Sequence, residues 1–110
     1  MKTKSTIYRQ GDVLIERVPS LPASRKSIKR ENDRVILAHG EVTGHAHAID
    51  SPDAYLYETA EEAGVTYLEV KEAMAALVHQ EHATIELAPG CYRVTRQKEY
   101  SPAEIKRVAD

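Results

Sequence analysis

Five histidines are the main chemical resource of this chain, and all of them fall in two short stretches, 39–47 and 79–82. His45 and His47 stand two apart in the alternating run His45-Ala46-His47-Ala48-Ile49. On a strand both imidazoles leave the same face, with Cα atoms roughly 6.5–7 Å apart. Ile49 shares that face, so the pair is expected to point inward. His79 follows Leu77 on the same face of a second apolar run. His82 is three residues further on and would face the other way on a straight strand. The two meet only if Gln80 and Glu81 form a turn. Glu81 offers a carboxylate, either as a ligand or as an acceptor for an imidazole N–H. His39 and Glu41 sit at the rim or behind the other ligands.

Three or four neutral imidazoles, with or without a carboxylate, suit Zn(II), Fe(II), Mn(II), Ni(II) or Cu(II). A divalent transition metal held by His45, His47, His79 and His82 is the leading expectation. Three protein ligands with an open position would permit hydrolytic or oxidative chemistry at a metal-bound water. Two other readings of the same residues stay open. Neutral imidazoles both donate and accept hydrogen bonds and serve structural roles, and a histidine pair can do acid–base work without metal. No catalytic residue is assigned, and the sequence does not decide whether the chain is an enzyme. The single cysteine, Cys91, excludes an internal disulfide and a thiolate-rich metal site.

A second constellation points to a different class, a non-enzymatic interaction module. Arg25, Lys26, Lys29 and Arg30 lie in a basic stretch. Tyr92, Val94, Arg96, Lys98 and Tyr100 share one face of an alternating run. Bases stack on tyrosines while cations hold phosphates, so Tyr92, Arg96, Lys98 and Tyr100 with the basic stretch form a candidate nucleic-acid or protein surface. The plainer reading is a strand running from core to solvent, with Tyr92 and Val94 buried and the cations outside. The net charge of −2 favours the plainer reading.

The elements that must position these residues are short strands. Val13–Val18, Val35–Ala38, His45–Ile49, Ala54–Tyr57, Thr66–Val70, Ala75–His79, Thr84–Leu87 and Cys91–Tyr100 read as about eight strands with turn signals between them. Pro19 and Pro22 take the chain out of the sheet, and 19–33 reads as a polar, basic loop. Ser101-Pro102-Ala103-Glu104 carries the signals of a helix start and predicts a short C-terminal helix. The fold class is therefore all-β, one domain over 1–110: a small barrel, jelly-roll-like or otherwise, or a sandwich.

Composition bounds the rest. At 110 residues there is room for one core, built without Phe or Trp. Residues 1–30 carry eight Lys and Arg, whereas 31–89 carry twelve acids, a polarity that neighbouring strands can neutralise. The N-terminal run has no apolar signal-peptide core and no stretch approaches bilayer length. A cytoplasmic location without membrane contact is expected. Small-molecule or protein partners are not specified, and homo-oligomerisation is left open.

The run Arg9-Gln10-Gly11-Asp12-Val13-Leu14, with Gly40-Glu41-Val42-Thr43-Gly44-His45-Ala46-His47, His79-Gln80-Glu81-His82 and Tyr92 to Tyr100, resembles a family of small uncharacterised bacterial proteins over nearly the whole chain. That resemblance implies no activity. Gly44-His45-Ala46-His47 and Leu87-Ala88-Pro89-Gly90 also look like parts of the cupin pattern, which implies a metal-binding β-barrel. The pattern departs from cupins in two ways: no Glu follows His47 at three to five residues, and His79 and His82 precede the Pro-Gly turn.

Overall fold

The computed structural model describes residues 6–39 and 45–96. Ten strands form, and no helix is present among the described residues. They are β1 (Ile7–Gln10), β2 (Val13–Val18), β3 (Lys26–Ile28), β4 (Val35–His39), β5 (Ala46–Ile49), β6 (Ala54–Glu58), β7 (Thr66–Val70), β8 (Ala75–Val78), β9 (Ile85–Leu87) and β10 (Gly90–Arg96). The helix expected after Ser101, together with Lys98 and Tyr100, lies outside the described residues.

The strands make two antiparallel sheets, one in the order β1-β2-β10-β7-β6-β3 and one in the order β4-β5-β8-β9. Alternation along strands such as β2, β8 and β10 turns one face of each sheet inward, whereas β5 is buried along its whole length. Val13, Ile15, Leu56, Leu68, Val70, Tyr92 and Val94 from the larger sheet and Val35, Ile49, Ala75, Leu77 and Leu87 from the smaller one form a single buried cluster. This is a sandwich. No closed barrel forms among the described residues, because the chain passes between the sheets through short segments without ladder pairing. Two of these crossings contain Pro52 and Pro89, which lack the N–H a ladder would need.

Two strands exceed the sequence expectation. β1 pairs with β2 across a two-residue turn, Gly11-Asp12, so these residues close a hairpin rather than open a strand. Gly11 has φ +59°, the left-handed conformation that two-residue hairpin turns with glycine first require. β3 lies inside the basic stretch 19–33 and pairs with β6. The polar run thus supplies an edge strand, where charged side chains are tolerated because one face meets water.

Two pairings position the histidines. β5 is central in the smaller sheet, with β4 on one side and β8 on the other. Its register with β8 sets Ala48 opposite Val78 and Ile49 opposite Leu77. Continued by one residue, it sets His47 beside His79. A register shift in β4 between Ile36 and Ala38 brings Ala38 opposite His47.

Candidate functional site

The histidines gather where β5 begins and β8 ends. His47 is 2% exposed. Its ring lies 4.3 Å from that of His79 and 5.9 Å from that of His82, centroid to centroid. The His79 and His82 rings are 4.6 Å apart, because the chain bends through residues 80–82 and returns His82 toward His79. His45, just before β5, meets His79 edge-on at 5.8 Å. His79 is thus the hub that touches the other three rings. The Gln80 side chain fastens the bend to β5 by accepting the Ala46 N–H at 3.0 Å.

The larger sheet closes over this patch with its β1–β2 turn. An added Cβ on Gly11 would lie 2.7 Å from His82 Nε2 and 3.3 Å from His47 Cε1, so a side chain here would push the His82 ring aside. Gln10 and Asp12 flank it. The Gln10 side chain is buried and sits 2.8 Å from His47 Nδ1 through its oxygen. Asp12 Oδ1 lies 3.6 Å from His47 Nε2, and its other oxygen accepts from Arg96 Nε at 2.7 Å.

Burial favours the uncharged forms of His47 and His79. Burial, with the neighbouring His79 second, lowers the His47 pKa from its ordinary 6.5 to about 4. Burial and then His82 lower that of His79. For Asp12, burial acts to raise the pKa, but the Arg96 hydrogen bond and charge outweigh it and hold the carboxyl below its ordinary value. His47 and His79 are thus held neutral beside the Asp12 carboxylate, the protonation states that metal ligation requires.

Orientation is less complete than proximity. His79 Nδ1 accepts the Glu81 backbone N–H at 3.0 Å, which places the neutral ring's proton on Nε2. His45 Nδ1 is 3.3 Å from Glu81 Oε2, yet it is buried and lacks an aligned hydrogen bond. Among the described residues, no group of three or more His, Cys, Asp or Glu side chains is arranged to hold a metal ion as it stands.

Of the remaining candidates, His39 lies apart. Its side chain is 66% exposed and faces Glu31 at 3.3 Å, and only its backbone oxygen is tied toward the site, by Arg96 at 2.8 Å. Glu41 lies outside the described residues. Gln10, Gly11 and Asp12 are the site residues that spacing arguments missed. They come from the far end of the chain, and the one available signal was the Gly-Asp turn beside a glutamine.

The candidate nucleic-acid surface is dispersed. The Tyr92 ring is fully buried and its hydroxyl donates to Ala88 O. Arg30 donates to Ser51 O at 2.7 Å and Ala54 O at 2.9 Å. Arg25 lies over the Tyr57 ring at 5.1 Å. Arg96 holds Asp12 and the His39 carbonyl, whereas Lys26 and Lys29 are exposed. Cys91 is half-buried and burial raises its pKa, which suits an unreactive thiol.

The sequence matches a family model over residues 9–97, a span that takes in the Gln10-Gly11-Asp12 turn, all five histidines and every strand from β2 to β10. The chain belongs to the family described as Domain of unknown function (DUF8820). No curated protein and no solved structure matches it. Within DUF8820 the chain is thus an all-β domain, and no helix among its described residues is long and apolar enough to cross a membrane.

Proposed function

We propose that this protein binds a divalent transition metal through the imidazoles of His47, His79, His82 and His45. The observation that carries this reading is the spacing of the rings. Metal–nitrogen bonds of about 2.0–2.1 Å put the centres of two imidazoles sharing one ion roughly 5 Å apart. The four ring contacts here span 4.3–5.9 Å. The donor chemistry also fits, since neutral nitrogens beside a carboxylate suit Zn(II), Fe(II), Mn(II) or Ni(II).

Orientation is what binding would have to supply. His79 would release the Glu81 N–H, an exposed bond that water can replace. A bound metal would act as a Lewis acid toward an oxygen ligand. This chain's own contribution would be to keep His47 and His79 unprotonated, with Asp12 held in place by Arg96. The cupin resemblance points the same way in chemistry, through a sandwich rather than a closed barrel. An interaction surface for nucleic acid or protein is the other reading, but no observation favours it, since Tyr92, Arg30 and Arg96 are already used within the fold.

The test is metal content and metal response. Protein expressed in metal-supplemented medium should retain close to one equivalent of a transition metal. Adding Zn(II) to chelated protein should raise its melting temperature, and His47→Ala should lose both properties. Metal-free protein whose melting ignores Zn(II), Mn(II), Fe(II) and Ni(II) would exclude the proposal.

A further inference from the structure

We propose that Gln10 is a positioning residue that fixes the tautomer of His47, so that Nδ1 carries the proton and Nε2 is left with the lone pair. The inference starts from the amide. Gln10 Nε2 lies 3.0 Å from Leu77 O and 2.9 Å from Ala83 O, two carbonyls of the β8–β9 hairpin. Only an NH2 group can satisfy both, because a flipped amide would set an oxygen against two oxygens. The amide is therefore locked, and its oxygen faces His47 Nδ1 at 2.8 Å.

An oxygen with no hydrogen of its own must receive one. Nδ1 of His47 therefore carries a proton and donates to Gln10, and in the neutral ring Nε2 carries the lone pair. That nitrogen is the one directed toward Asp12. The neighbouring His79 is held in the opposite tautomer, because its Nδ1 accepts the Glu81 N–H. Two adjacent imidazoles thus present one lone pair and one N–H, each set by a separate partner.

The arrangement depends on the sandwich. Gln10 ends β1 of the larger sheet, whereas both carbonyls and His47 belong to the smaller one. One side chain couples the β1–β2 turn, the β8–β9 hairpin and β5. Orienting partners of this kind commonly change metal affinity by about 10–100-fold when removed. That consequence for affinity rests on the metal-binding reading, whereas the tautomer assignment does not.

The experiment is nitrogen-15 NMR of the histidine rings at pH 7.5, with and without Zn(II). In the wild type, Nδ1 of His47 should carry the proton and Nε2 should be bare. Gln10→Met removes the acceptor and leaves Asp12 as the nearest one, so the proton should move to Nε2 and Zn(II) affinity should fall about 10–100-fold. A wild-type proton on Nε2, or a folded Gln10→Met variant with Nδ1 still protonated, would overturn the assignment. The wild-type spectrum decides the matter even if Gln10→Met does not fold. The expected tautomers in a protein that ignores Zn(II) would remove the metal reading and leave the role of Gln10 standing.

Discussion

Two regions of this molecule are rich in functional-looking residues, and the fold treats them in opposite ways. The basic stretch 25–30, with the face of β10, is taken apart. Tyr92 goes into the core, Arg30 clasps two backbone carbonyls of the β5–β6 connection, and Arg25 covers Tyr57. The histidines are brought together from two strands, and the opposite sheet contributes Gln10, Gly11 and Asp12 around them. A run of cations is cheap to absorb, because carbonyls and ring faces are available everywhere on a small sandwich. Four imidazoles gathered around His79, with the almost wholly buried His47 needing a partner for its ring nitrogens, are costly to place without hydrogen bonds, which makes their assembly the more informative feature.

Acid should separate the two regions most strongly. His47 has a depressed pKa in the fold, so between about pH 6.5 and 4 the unfolded chain binds a proton that the folded chain does not. The stability from neutral His47 is complete above that window and is lost as the pH falls through it. The loss is on the order of 3 kcal/mol, and denaturant unfolding across the window should show it. His47→Gln should flatten the profile.

Arg30→Ala should come next, at about 2 kcal/mol, because its charge-assisted bonds to the Ser51, Ala54 and Asp33 carbonyls are removed. A nucleic-acid contact would leave stability unchanged, so urea unfolding of this variant tests whether the residue is structural. Gly11→Ala should cost about 1–2 kcal/mol for a left-handed alanine and should weaken Zn(II) binding by displacing His82. The double substitution of Lys26 and Lys29 by Ala should move stability by less than about 0.5 kcal/mol and leave metal binding as it was. An effect on metal binding would dissolve the contrast between the two regions.

Much of this was legible in the residue order. Short apolar or alternating runs between turn signals marked the strands that became β2 and β4 to β10. β1 and β3 escaped notice because edge strands carry mixed polarity, as in Ile7-Tyr8-Arg9-Gln10 and Lys26-Ser27-Ile28. The histidine spacing identified both clusters. Whether they meet depends on the β5–β8 register and on the bend at 80–82, which are tertiary facts. Gln10 and Asp12 were invisible as site residues because the sheet packing that sets them against His47 joins positions over thirty residues apart.

The most direct test of the central claim is zinc K-edge X-ray absorption on protein loaded with one equivalent of Zn(II) and exchanged into metal-free buffer. The account predicts retained zinc with a nitrogen and oxygen shell at about 2.0–2.1 Å and outer-shell scattering from at least two imidazoles, lost in His47→Ala. Zinc that washes out, or that shows a shell of oxygen alone, would contradict it.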